Sequence, residues 1–177
     1  MKISSLRLPE VLLLESTAQD DARGSFVRWW DAELLASSGA DSHIDQISVS
    51  TNRLKGTLRG IHFQELPFSE AKTVRCLRGS AWDVAVDLRV ESPTRYQWTG
   101  IELSAANGRA IHIPRGFGHA FLTLDDDTTL LYVISTPHHP SAARGHRWDD
   151  PTLAVEWPIP VVVISERDMS WPLISEN

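Results

Sequence analysis

Short runs of alternating polar and apolar residues, broken repeatedly by turn signals, constrain this chain to an all-β sandwich or barrel. The clearest is 81–88, where Trp82, Val84, Val86 and Leu88 share one face while Asp83 and Asp87 take the other. Segments 44–49, 73–77, 111–113 and 129–134 read the same way. Between the runs lie Arg78-Gly79-Ser80, Glu91-Ser92-Pro93, Asn107-Gly108 and Asp125-Asp126-Asp127, all turn-forming. Helical signal is confined to 31–38, with Asp31 or a neighbour as cap and Gly39 as stop. Beyond Trp157, Pro158, Pro160 and Pro172 predict irregular chain wrapping the body. No repeat or flexible linker divides the sequence, so one domain over 1–177 is expected. Closing such strands into a barrel or double sheet removes exposed edges and leaves a concave interior for a ligand.

Composition narrows the functional classes. At 42% hydrophobic residues the chain can bury a core, yet no apolar run approaches the roughly 20 residues of a membrane span. Met1-Lys2-Ile3-Ser4-Ser5 lacks the apolar centre of a signal peptide. A single cysteine, Cys76, excludes an internal disulfide framework; a cytoplasmic setting is expected, with Cys76 a small buried side chain. The net charge of −6 argues against nucleic acid as a partner. An anionic ligand would need a local cluster of cations.

Two stretches carry chemistry. Gly56-Thr57-Leu58-Arg59-Gly60-Ile61-His62-Phe63-Gln64 and Pro114-Arg115-Gly116-Phe117-Gly118-His119 together resemble the two signature motifs of the cupins. Metal-binding cupins continue the first motif as His-x-His. Here Gln64 stands at the second position, leaving His62 and His119, too few for a catalytic metal that usually keeps three protein ligands. No metal and no other cofactor is expected, and His62 is available as a base. Strand parity puts Leu58, Gly60 and His62 on one face; a bulge at Gly60 would let Arg59 reach the same pocket. Leu130, Tyr132 and Ile134 line one face of another strand, and Lys72, Val74 and Cys76 that of a third. A His, a Lys and a Tyr around one apolar cavity suit proton abstraction beside a carbonyl. Imidazole takes the carbon-bound proton, with a carboxylate behind it fixing the tautomer. An ammonium meets the enolate charge, and a phenol returns a proton from the opposite side.

More widely, the chain resembles the dTDP-4-dehydrorhamnose 3,5-epimerases, metal-independent cupins of nucleotide-deoxysugar biosynthesis. The segments that carry the resemblance are Asp21-Ala22-Arg23-Gly24-Ser25-Phe26, Leu58 to Gln64, Ala71-Lys72 and Pro114 to Phe121. Leu131-Tyr132, Trp148-Asp149-Asp150-Pro151 and Ser165-Glu166-Arg167-Asp168 continue it. The resemblance implies a cupin-type jelly roll (a double-stranded β-helix) with short helical segments. It implies an isomerase acting at C3 and C5 of a nucleotide-diphospho-4-keto-6-deoxyhexose. By the same likeness, His62 is the base paired with Asp168, Lys72 stabilises the enolate, and Tyr132 is the opposing acid. Arg23, Arg59 and His119 lie around the diphosphate and sugar, joined by Arg167. Guanidinium forks suit phosphate oxygens, which reconciles an acidic chain with an anionic substrate. The family forms homodimers with shared active sites, the region of Arg23 and Phe26 reaching into the partner's pocket.

Departures from the family pattern cluster at Arg28, where the family has glutamate; at Gln46-Ile47-Ser48, where it has Gln-x-Asn; and at His138, where it has a second tyrosine. The likeness places Phe26, Arg28, Gln46, Ser48 and His138 around the nucleotide base or the far end of the substrate. Chemistry is thus expected to be retained and recognition altered, which admits a non-thymidine nucleotide or inversion at C3 or C5 alone. The rivals from other classes are a metal-dependent cupin enzyme and a non-catalytic sugar-nucleotide binding domain. His43, His112, His139 and His146 have no partner in the pattern and are expected on the surface or in loops. The tryptophans are packing residues, though Trp29 and Trp30 could stack on a base.

Overall fold

A computed structural model describes residues 1–174. In chain order its strands are β1 (Lys2–Ser5), β2 (Leu12–Glu15), β3 (Gln19–Asp21), β4 (Gly24–Phe26), β5 (Gln46–Asn52), β6 (Leu58–Gln64), β7 (Lys72–Arg78), β8 (Ser80–Asp87), β9 (Trp98–Ser104), β10 (Arg109–Ile113), β11 (Phe117–Thr123), β12 (Thr128–Ile134) and β13 (Ala143–Gly145). Helices α1 (Ala32–Ser37) and α2 (Glu166–Met169) are short. One antiparallel sheet runs β1-β2-β10-β7-β12-β5, the other β13-β6-β11-β8-β9, and β3–β4 is a separate hairpin. Strands distant in sequence lie side by side in both sheets, the wrapping of a jelly roll. No helix among the described residues is long and apolar enough to cross a membrane.

Val74, Cys76, Ile111 and Leu130 of the larger sheet meet Ala81, Ala85, Leu103, Phe117 and Phe121 of the smaller across the interior. The alternation in β8 therefore works in an unusual sense. Its small residues and Asp83 face inward, while Trp82, Val84 and Val86 pack outward beneath tail residues Leu153, Val155 and Trp157. That covering explains why β11 is buried at every position and shows no alternation. As expected, the segment after Trp157 is largely irregular, although α2 within it was not marked by any sequence period.

Helix α1 forms where the cap predicts: the Asp31 carboxylate accepts from Leu34 N–H, and Leu35 sits fully buried on Leu12, Leu14 and Ala110. It seals the outer face of β2 and β10. The outer face of β5 has no such cover, leaving Ile47 63% and Val49 58% exposed at a sheet edge. β5 extends beyond the apolar pattern because Asn52 is buried and its amide donates to Thr128 O at 3.2 Å.

Candidate active site

The site begins with a backbone irregularity. Gly60 has φ +129°, and a Cβ there would lie 2.3 Å from Ala120 Cβ, so only glycine fits. His62 pairs with His119 across β6–β11 while Arg59 pairs with Phe121, the register slipping between them. This is the expected bulge, and it brings Arg59 and His62 onto the same side of the sheet.

His62 is tied to the far end of the chain. Its Nε2 lies 2.6 Å from Asp168 Oδ1, and Asp168 Oδ2 accepts Gly60 N–H at 3.2 Å. Ser165 Oγ caps α2 by accepting Asp168 N–H at 3.1 Å, which sets the direction of that carboxylate. Burial opposes the Asp168 charge, but the bonds from His62 and Gly60 outweigh it and hold the carboxyl below the usual range. An ionised Asp168 accepts Nε2–H, which leaves the lone pair on Nδ1. The imidazole is 41% exposed, opening onto a cleft of about 220 Å³.

Lys72 lines the same cleft, with Nζ 2.8 Å from Glu70 Oε1. Gln46, His138 and Arg167 also line it, and Gln46 Oε1 accepts His138 N–H at 3.1 Å. One family departure, His138, is therefore held at the cleft wall by Gln46, a residue the family shares.

Tyr132 lies deeper. It pairs with Val74 on one side and Ser48 on the other, and its ring meets His119 edge-on with centroids 5.7 Å apart. Burial, and then the charge of Asp83, push the phenol well above its ordinary value, so it carries its proton at neutral pH. His119 is buried with Nε2 3.0 Å from both oxygens of Asp83. Burial raises Asp83 above the usual carboxylate range, opposed by His119 and Lys72. His119 pairs with His62 in the β6–β11 register, and neither His119 nor Tyr132 lines the cleft itself. Arg59 is exposed, its Nε donating to Asn52 Oδ1 at 2.9 Å.

The remaining sequence-derived residues are not gathered here. Arg23 sits on the exposed β3–β4 hairpin, paired with Asp21 at 2.5 Å. Phe26 is 71% exposed, and Arg28 pairs with Asp31 at 3.1 Å. Those two line a separate depression with Met1, Thr17 and Gln19. Ser48 is exposed and does not line the cleft. Trp29 lies against Arg75, and Trp30 packs beside Leu35. Of the histidines expected in loops or on the surface, His112 is instead buried, because α1 covers its strand; Thr73 Oγ1 meets its Nδ1 at 2.9 Å.

Sequence reasoning missed Glu70, Asp83 and Asn52. A carboxylate inside the apolar run of β8 was the available signal for Asp83; nothing local marks the other two. Gln64 is committed to structure: its amide donates to Phe68 O at 3.0 Å and Pro137 O at 3.2 Å, and its oxygen accepts His139 N–H at 2.6 Å. Among the described residues no group of three His, Cys, Asp or Glu side chains is placed to hold a metal ion.

Comparison with known proteins places this geometry in context. Residues 5–176 match a family model described as dTDP-4-dehydrorhamnose 3,5-epimerase. A Sinorhizobium fredii protein of that name is 40% identical over 177 residues, covering 99% of this chain and 91% of the relative. The crystal structure of the dTDP-4-dehydrorhamnose 3,5-epimerase from Elizabethkingia anophelis superposes with a TM-score of 0.95 at 32% identity, covering 100% of this chain and 98% of that one. A 3'-monoepimerase from Streptomyces bikiniensis, solved with dTDP-quinovose, gives a TM-score of 0.89 at 33% identity over 97% of this chain and 87% of its own.

Proposed function

This chain belongs to the dTDP-4-dehydrorhamnose 3,5-epimerase family, and from that membership we propose that it is an isomerase inverting C3, C5 or both in a nucleotide-diphospho-4-keto-6-deoxyhexose of the dTDP-4-dehydro-6-deoxyglucose type. The observation that carries this reading is the His62–Asp168 pair opening onto a cleft shared with Lys72. Removing hydrogen from carbon beside the C4 ketone moves charge onto the carbonyl oxygen. His62 Nδ1 takes that proton, and Asp168 stabilises the imidazolium formed. Lys72 meets the oxygen as it becomes negative. Tyr132, held protonated by its burial, delivers a proton to the other face of the enolate and inverts the centre. Each residue has one role and none needs a metal.

The diphosphate falls to Arg167 at the cleft, to Arg59 on the same strand as His62, and to Arg23 from a second copy. Two features support a homodimer with shared sites. The cleft, at about 220 Å³, is smaller than the roughly 300–1,000 Å³ of pockets for larger ligands. The exposed Phe26, Ile47 and Val49 form apolar surface without cover in one chain. On this reading residues 1–177 are a single cytoplasmic catalytic domain.

Incubation with dTDP-4-dehydro-6-deoxyglucose in heavy water, with deuterons counted at C3 and C5 by NMR, tests the reaction. Two deuterons give double inversion and one gives a mono-epimerase; none excludes the class. The second reading, inversion of one centre only, is favoured by His138, which stands at the cleft wall against Gln46 where the family has a tyrosine.

A further inference from the structure

The cleft contains a second buried carboxylate that the mechanism above leaves unused. Glu70 is 9% exposed, and its Oε1 pairs with Lys72 Nζ at 2.8 Å while Oε2 is buried with no hydrogen-bond partner among the described residues. Burying an ionised carboxylate is costly unless its oxygens are satisfied, so a half-satisfied one at a cleft wall is a poor device for stability. Among the described residues, the one polar partner of this carboxylate is the lysine facing the substrate.

The loop that carries Glu70 is held firmly. Ala71 N–H donates to Ser135 Oγ at 2.9 Å, and Ser135 N–H donates to Ala71 O at 3.1 Å. The Arg115 guanidinium clamps the same place, donating to Ser69 O, to Thr136 Oγ1 at 2.8 Å and to Ser135 Oγ at 3.0 Å. Asp41 fixes that guanidinium in turn at 2.8 Å. Second-motif residue Arg115 thus serves the loop before β7 and stands outside the cleft lining.

Resting on the epimerase reading, we propose that Glu70 is the positioning residue for Lys72, aiming its ammonium at the carbonyl oxygen of the bound keto-sugar. A lysine has four rotatable bonds, and an unguided ammonium would sample many directions. Tethering it to a carboxylate fixed by the Arg115 clamp places the charge before the enolate forms, when it stabilises the transition state without reorganisation.

The test is a double-mutant cycle with a second, activity-independent readout. Glu70→Ala is expected to lower kcat about 10- to 100-fold with KM changed less than about 3-fold, because the positioned charge acts mainly in the transition state. Glu70→Gln, which keeps an acceptor, should recover part of that loss. In a Lys72→Ala background, Glu70→Ala should cost nothing further. Independently, Lys72 should react faster with a small acylating reagent in both Glu70 variants than in the wild type, as read by peptide mass spectrometry. Equal losses with and without Lys72, or unchanged Lys72 reactivity, would overturn the assignment. A wild type that turns over no keto-sugar while Lys72 reactivity rises in the variants would refute the epimerase reading and leave the Glu70 tether standing.

Discussion

Replacing Asp168 by asparagine probes the catalytic pair while preserving its shape. The aspartate uses both oxygens, Oδ1 toward His62 Nε2 at 2.6 Å and Oδ2 toward Gly60 N–H at 3.2 Å. Asparagine can keep the second bond with its carbonyl, but then offers N–H to Nε2. The imidazole must reverse its tautomer, placing the hydrogen on Nδ1, the atom that has to accept the substrate proton. The imidazolium also loses its counter-charge. With charge centres about 4 Å apart and an effective dielectric of about 20, that interaction is worth about 4 kcal/mol, or about 10³ in rate. Substrate filling the cleft covers the exposed part of the ring, so this figure belongs to the complex. Asp168→Asn should therefore lower kcat by on the order of 10³, with thermal midpoint and nucleotide affinity nearly unchanged. Initial rates of solvent deuterium incorporation, beside a melting curve, measure both. A folded variant retaining a third or more of wild-type turnover would refute this role for the carboxylate.

Gly60→Ala should lose most activity and melt at lower temperature, since its Cβ meets Ala120 at 2.3 Å at a left-handed φ; Gly108→Ala, with open space around it, should stay active. Enzyme assay and calorimetry on the two variants check this. Burial holds the His112 pKa down to about 4, below the ordinary imidazole value of 6.5, so the unfolded chain binds the extra proton first as pH falls. The stability His112 provides as a neutral group is complete above pH 6.5 and is eroded between there and about pH 4, by up to about 3 kcal/mol. Denaturant titrations of wild type and His112→Leu across that window should show a flatter pH dependence for the variant; parallel curves would contradict it. Ile47→Lys, placing charge on the bare face of β5, should convert a dimer to monomers in sedimentation analysis and lower activity with it.

The sequence made much of this architecture readable, for identifiable physical reasons. Alternating apolar residues, Val74 and Cys76 in β7 and Leu130 and Ile134 in β12, located Lys72 and Tyr132, and the structure pairs their strands directly. Gly60 was readable as a bulge because a strand interior seldom tolerates glycine without cause. β8 was legible as a strand but not in orientation, since the apolar tail that buries its outer face lies some 70 residues later in sequence. His112 was misplaced for a related reason: only the packing of α1 makes the back of β10 interior. Glu70 and Asp83 take their meaning from partners on other strands, and no local period encodes such a contact. Arg23, Phe26 and Arg28 were readable only through resemblance, and within one chain they stay apart from the cleft.

The most direct test compares wild type with His62→Ala, both treated with chelator, for deuterium uptake beside the ketone and for calorimetric binding of the same nucleotide sugar. Exchange that survives chelation in the wild type, falls by at least about 10³ in the variant and leaves ligand affinity nearly intact is the predicted result. Exchange in His62→Ala at the wild-type rate would show that some other group removes the proton.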